Sequence, residues 1–296
     1  MDETFLTNVT NKNLYGALVL GGGGSMGIGW ETGYLAGLAD NGIDLRSASL
    51  IIGTSAGSQV GASLASGISW DDIWERLIES TNKPFEESPI GNMGWLFEAY
   101  DEIATNSNTA EEWIQRIGNL AVKSNTLPES SQLARINDRL GDLAWGKALK
   151  IAAVDLSTSR RIVWGRNSGV DLVHAVSSSS SLAGVWPPIT IGSSQYIDGG
   201  THSMENADVA VGADRVLILS VGLPIKTPFT LEYQINHLKE SGSKVELITP
   251  SKEAFAAFKQ LGGNPVDPRI RPVIAAYGRE QGRTDANKIA LFWNKD

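Results

Sequence analysis

Ser55 lies at the centre of Gly53-Thr54-Ser55-Ala56-Gly57, directly behind the apolar run Ser49-Leu50-Ile51-Ile52 and ahead of a segment rich in small residues. A serine between two glycines can serve as a nucleophile where the chain turns sharply from strand to helix. The turn pushes the hydroxyl outward and the glycines leave room for it. The helix that follows sets the positive end of its dipole beside any developing negative charge. The pentapeptide alone is weak evidence: with 32 glycines, chance supplies a Gly-x-Ser-x-Gly window in about one such chain in three. Its position between a strand pattern and a helix pattern makes Ser55 a candidate nucleophile rather than an ordinary turn residue.

A second glycine-rich turn, Gly21-Gly22-Gly23-Gly24-Ser25-Met26-Gly27, follows the first apolar run. Backbone N–H groups unobstructed by side chains suit an oxyanion hole. Gly22-x-Gly24-x-x-Gly27 also fits a dinucleotide fingerprint, but that reading needs an acid at the end of the second strand to hold a ribose. That strand ends in Gly53-Thr54-Ser55, and the lysine of a phosphate-binding loop is missing as well. A plain tight turn is the third reading. A serine nucleophile further requires a base. The three histidines, His174, His202 and His237, have no setting that marks a triad. An acidic candidate is Asp198, which follows Gln195-Tyr196-Ile197 and precedes Gly199-Gly200. Two glycines give the backbone freedom to bring the carboxylate to another loop, although Asp-Gly by itself reads more simply as a hairpin turn.

The elements that must position these residues follow from periodicity. Leu14 to Leu20 reads as a strand buried on both faces, and Gly27 to Asn41 as a helix ended by Asn41-Gly42. Gly29, Gly33 and Gly37, spaced at four, leave one face of that helix flat, as close packing on a sheet would need. Ser49 to Ile52 and Ser55 to Gly67 repeat the pattern, so the first 67 residues spell β-α-β-α. In a parallel sheet the two glycine turns then neighbour each other on the carboxyl edge, where such sheets place their sites. Further strands are expected at Leu149–Val154, Arg161–Val163, Gln195–Ile197, Val216–Val221 and Val245–Ile248. The stretch from Trp70 to Trp145 is mostly helical and reads as an inserted cap, with turn signals at Asn82-Lys83-Pro84, 87–94 and 125–131. Trp95-Leu96-Phe97 is its most apolar candidate for touching acyl chains. The serine tract Ser177–Ser181 reads as a loop entering a proline-stiffened turn, and Val273–Arg283 as a last helix.

Taken together, these segments resemble the patatin-like phospholipase family. The likeness runs in order through 17–45, 51–67, 177–200 and 206–219, and leaves the helical middle unmatched. It implies one domain over 1–296, a three-layer α/β/α sandwich with a mainly parallel central sheet, a helical insertion at about 70–145 and a strand-helix extension at about 222–296. It also implies a Ser55–Asp198 dyad in place of a triad, with Gly22, Gly23 and Gly24 supplying oxyanion N–H groups and Gly27, Gly53, Gly57, Gly199 and Gly200 supporting the turns. The implied activity is acyl-ester hydrolysis of lipids, of the phospholipase A or lysophospholipase kind, without metal or cofactor. The sequence departs from the family at Met26, where the glycine loop usually carries Arg or Lys. Two readings compete. In an α/β-hydrolase triad His202 or His237 would be the base, but that fold places several strands before its elbow. The other is a nucleotide-binding module without acyl chemistry.

The whole chain agrees with a globular enzyme. Its 296 residues, 42% hydrophobic and 20% charged, can bury a sizeable core. A net charge of −8 argues against nucleic acid as a partner and against electrostatic docking on anionic lipid. Contact with a membrane surface is therefore expected to be transient. Absence of cysteine removes thiol nucleophiles, disulfides and thiolate metal sites. The acidic, polar N-terminus lacks the pattern of a secretory signal, no apolar stretch is long enough to span a bilayer, and Asn8-Val9-Thr10 reads as an accidental sequon. These features lead us to expect a soluble cytoplasmic protein.

Overall fold

The apolar run Leu14–Leu20 forms β1, and its side chains divide between two cores. Leu18 and Leu20 enter one cluster, Ala17 and Val19 another on the opposite face. A strand buried on both faces must be central, and β1 is paired in parallel with β2 (Leu50–Thr54) on one side and β7 (Ala213–Leu219) on the other. The computed structural model describes residues 14–79 and 93–294. The N-terminal sequon, the turn signal at 82–84 and most of that at 87–94 lie outside the described residues.

Among the described residues the sheet has eight strands. β8 (Lys244–Ile248) extends it beyond β7, and β3 (Leu149–Asp155) lies beside β2, all parallel. β4 (Arg160–Gly165), β5 (Ile189–Ile191) and β6 (Ser194–Asp198) add an antiparallel flank. The strand β5 behind Pro187-Pro188 has no counterpart in the periodicity, because three residues are too few to show one. The register around β3 bears directly on the site. β4 takes one edge of β3 along Lys150–Asp155, while β2 and β6 share the other edge in succession: Thr54 pairs with Ala152, and Asp198 with Ala153. Since β2 runs parallel and β6 antiparallel to β3, their carboxyl ends point at each other. Ser55 and Asp198 therefore come together by strand pairing alone.

Helices cover both faces. On one lie α1 (Gly24–Ala39), α2 (Ala56–Ala65), α3 (Trp70–Leu77), α6 (Glu129–Leu140), α7 (Leu172–Ser179), α9 (Lys252–Gln260) and α10 (Arg271–Trp293). The other is covered by α8 (Leu231–Glu240) over β1 and β7, and by α4 (Gly94–Thr105) and α5 (Ala110–Lys123) over Val154 and Ile197. The inserted helices thus divide between the two layers. Their starts follow local chemistry: Ser69 and Asp72 make a reciprocal capping box on α3, and Thr109 caps α5.

Two expectations are corrected here. The flat glycine face of α1 meets α10 rather than the sheet: a Cβ on Gly33 would stand 2.1 Å from Ala275 O, and one on Gly282 2.1 Å from Tyr34 O. Small residues at matching spacing let the two backbones touch, and α1, lying between sheet and α10, is buried almost all round. The last helix is accordingly longer than its apolar run, reaching from Arg271 to Trp293. The serine tract is not a loop either. Ser177, Ser178 and Ser179 form the last turn of α7, fully buried. Helix-forming power is low in such a tract, but Ser178 Oγ donates to Ala175 O at 2.8 Å and Ser181 Oγ to Ser177 O at 2.8 Å. Satisfying the Ser178 and Ser181 hydroxyls in the preceding turn makes the buried helix end tolerable, although Ser177 Oγ finds no partner among the described residues.

Candidate active site

Ser55 stands between β2 and α2 with φ 53° and ψ −115°, a conformation that costs a non-glycine residue free energy and persists only where the surroundings impose it. They do so on both sides. A Cβ on Gly57 would lie 2.1 Å from Leu20 O, and one on Gly53 2.5 Å from Gly57 O, so the elbow is pressed onto β1 and onto itself. The serine tract holds the elbow from below: Ser55 N–H donates to Ser179 Oγ at 2.9 Å, and Ser180 Oγ donates to Ser55 O at 3.2 Å. These clamps were missed in the sequence because the tract lies some 125 positions away in the chain.

Asp198 ends β6; its carboxylate accepts a hydrogen bond from Gly200 N–H at 2.7 Å, and the Ser55 hydroxyl lies near enough to favour its charged form. The side chain is buried. Loss of solvent pushes its pKa up to about 7, against the opposing pull of the Ser55 hydroxyl and the Gly200 N–H. A carboxylate with that pKa is more basic than an ordinary aspartate. Asn206, left-handed at φ 53°, ties the two strand ends together. Its Nδ2 donates to Thr54 Oγ1 at 3.0 Å, to Gly199 O at 3.2 Å and to Ser203 O at 2.7 Å. Behind it, Arg161 and Asp208 make a buried ion pair at 2.6 Å that anchors the same loop.

The glycine turn lies beside the elbow because Leu20 pairs with Gly53 across β1 and β2. α1 begins at Gly24, three residues earlier than the periodicity indicates. Gly22 N–H donates to Met204 O at 2.7 Å and Gly57 N–H to Gly21 O at 3.0 Å, locking the turn to its neighbours. Gly23 and Gly24 stand at the start of α1, where N–H groups lack helical acceptors, and both border the cavity above Ser55. Ala56, the first residue of α2, borders it too. Gly27 packs against Ala56, and Gly199 against the Ala152 carbonyl. Met26 is fully buried in the core and does not face the cavity.

The cavity holds about 630 Å³ and contains both Ser55 and Asp198 on its wall. α4 contributes Leu96, Phe97 and Tyr100, and Leu182, Trp186 and Ile225 add further apolar surface. Within the expected acyl-contacting run, Leu96 and Phe97 line the cavity, while Trp95 is 43% exposed. None of the three histidines lies on this wall. His202 is stacked on Phe229, its Nδ1 lies 3.1 Å from Asn206 Oδ1, and burial with the nearby Arg161 charge pushes its pKa down to about 3. His174 sits beside Asp171 on α7, and His237 stacks with Tyr233 on α8. Among the described residues no helix is long and apolar enough to cross a membrane, and no cluster of three or more acidic or histidine side chains is arranged to hold a metal ion.

A mainly parallel sheet between helical layers, with a strained serine elbow and a glycine turn side by side on its carboxyl edge, defines an α/β protein with its site where such sheets place them. The chain belongs to the patatin-like phospholipase family, whose model matches residues 18–211. Among solved structures it is similar to VipD from Legionella pneumophila, with 12% identity, a TM-score of 0.44 and coverage of 93% of this chain and 67% of that one. It is also similar to the type III effector ExoU, with 17% identity, a TM-score of 0.43 and coverage of 95% and 54%. For ExoU in its heterodimeric complex with SpcU from Pseudomonas aeruginosa the values are 17%, 0.40, 94% and 52%. The chain therefore spans about half the length of ExoU. No curated protein sequence matches it.

Proposed function

We propose that this protein hydrolyses acyl esters of lipids through Ser55 and Asp198. The observation that carries the reading is the strained Ser55, brought by strand pairing beside the buried Asp198 carboxylate on the wall of a largely apolar cavity. As Ser55 Oγ attacks the ester carbonyl, Asp198 takes its proton. The N–H groups of Gly23, Gly24 and Ala56, at the starts of two helices, face the oxyanion. Gly22, whose N–H is engaged by Met204, shapes the turn. The proton held on Asp198 goes to the departing alcohol. The carboxylate then activates water, which attacks the acyl-enzyme carbonyl and releases the fatty acid as Ser55 recovers its proton. The apolar wall accommodates the acyl chain and keeps bulk water from the dyad.

A fluorophosphonate probe should label the wild type and fail to label Ser55→Ala, and Ser55→Ala should lose hydrolysis of a short acyl ester. Equal labelling of both proteins would refute the assignment. Replacing each histidine in turn tests the triad alternative: activity that survives His174→Ala, His237→Ala and the space-filling His202→Gln leaves Asp198 as the base, and collapse with one of them in a protein that melts like the wild type sinks the dyad.

A further inference from the structure

Three guanidiniums in the same cavity take no part in the acyl chemistry. Arg135 and Arg139 stand one helical turn apart on α6, Arg271 opens α10, and all three line the cavity. Among the described residues, none has a carboxylate within salt-bridge distance. Neutral acceptors orient them instead. Arg135 shares Gln132 Oε1 between Nε and Nη2 at 3.0 and 2.8 Å and lies over the Trp186 ring at 4.4 Å. Arg139 donates to Gln59 Oε1 at 2.5 Å, and Arg271 to Ser25 Oγ at 3.2 Å and Leu77 O at 3.4 Å. Burial lowers the pKa of all three, Arg135 to about 9 and Arg139 to about 10, and mutual repulsion adds to it at Arg135 and Arg271. The acids that act on them, Asp138 and Asp267, do so through Coulomb attraction without a contact, and Asp267 is itself paired with Arg269 at 2.6 Å. Guanidiniums held by neutral groups and repelling one another favour the binding of an anion.

The anchors of the cluster fix its place relative to the nucleophile. Gln59, which holds Arg139, is one turn beyond Ser55 on α2, about 6 Å along the helix. Ser25, which holds Arg271, directly follows Gly24 in the glycine turn. In a glycerol phosphate ester, five bonds join a neighbouring acyl carbonyl carbon to phosphorus, so the nucleophile and a headgroup site must open on one cavity, as Ser55 and the three arginines do. Resting on the reading of Ser55 as nucleophile, the geometry points to an anion subsite in which Arg135, Arg139 and Arg271 receive the phosphomonoester headgroup of an acylated glycerol phosphate. A phosphomonoester carries nearly two negative charges and three acceptor oxygens, which suits three guanidiniums that have no paired carboxylate among the described residues. A phosphocholine diester brings one negative charge and a cation that the cluster repels, and a neutral glyceride leaves the cluster unpaired. Arg271 lies outside the matched residues 18–211 and places a cation beside the glycine turn, whose own expected basic position is the buried Met26.

The test compares kcat/KM for oleoyl lysophosphatidate, oleoyl lysophosphatidylcholine and monooleoylglycerol, each below its micellar concentration, in the wild type, Arg139→Gln, Arg139→Lys and Arg271→Gln. The ratio of lysophosphatidate to monooleoylglycerol is internal to each protein, so a loss of folded enzyme cancels. We expect the wild type to favour lysophosphatidate over both others. Arg139→Gln and Arg271→Gln should each lower the ratio ten- to a hundredfold, mainly through KM, and Arg139→Lys should lower it less. A wild type without preference, or variants with an unchanged ratio, would overturn the proposal. If the wild type hydrolyses none of the three, the nucleophile reading fails by itself. Calorimetric binding of lysophosphatidate then decides the subsite: tenfold weaker binding by Arg139→Gln supports it and equal binding overturns it. Inorganic phosphate that binds with the same arginine dependence, while lysophosphatidate shows no advantage over monooleoylglycerol, would identify a free phosphate as the ligand and overturn the headgroup reading.

Discussion

Replacing Asp198 by asparagine should abolish ester turnover and at the same time stabilise the fold, increasingly so at higher pH. The Asp198 carboxyl is buried, and its pKa rises from the ordinary 3.8 to about 7. Between those two values the folded protein keeps a proton that the unfolded chain has released. Stability therefore falls as pH rises from about 4 to about 7, and the whole penalty is present above that window. At about 1.4 kcal/mol per pH unit the penalty is about 4 kcal/mol. Asparagine removes the ionisation, and the bond from the Gly200 N–H to the charged carboxylate is already counted in the raised pKa. The gain at pH 8 should be about 4 kcal/mol, or about 6 °C in Tm for a protein of this size. It should vanish at pH 4. The assay is a pair of thermal or denaturant melts of wild type and Asp198→Asn at each pH from 4 to 8. Alongside it, wild-type kcat/KM for a short ester should climb about tenfold per pH unit up to about 7 and then level, because the base works only when ionised. A gain equal at pH 4 and pH 8, or a rate limb centred near pH 4, would refute the claim that burial sets this carboxyl.

Gly57→Ala should leave little folded protein, since its Cβ would meet Leu20 O at 2.1 Å and neither backbone can yield; a cooperative melt with a Tm near wild type would contradict this. Asn206→Ala should cut kcat by about ten- to a hundredfold with KM nearly unchanged, because it frees Thr54 and Gly199 from their common donor, and fluorophosphonate labelling should slow in proportion. Glu31→Gln should raise Tm at pH 8 more than at pH 5: burial and the neighbouring Glu205 push the Glu31 carboxyl well above its ordinary range, so its charge opposes folding as pH rises. A Tm shift independent of pH would count against that account.

The β-α-β-α opening, both glycine turns and the candidate nucleophile were legible in the amino-acid sequence because they depend on short-range rules. Apolar runs mark strands, and glycine flanks mark an elbow within five residues. The strain at Ser55 could be anticipated from Gly53 and Gly57 on the same grounds. Other features depend on which distant segments pair. Ser55 and Asp198 meet because β2 and β6 share one edge of β3, a register that 142 intervening residues do not announce. The serine tract looks like a loop until its hydroxyls are seen to bond backward along α7 and across to the elbow. Gly29, Gly33 and Gly37 show a flat face, but only the complementary Gly278 and Gly282 on α10 decide what it meets. The arginines of the cavity have 131 residues between Arg139 and Arg271, and no local pattern joins Arg271 to the pair on α6. Their chemistry arises from enclosure, since a guanidinium's need for an anion is set by the carboxylates and water that the fold leaves around it, and linear order carries no record of either.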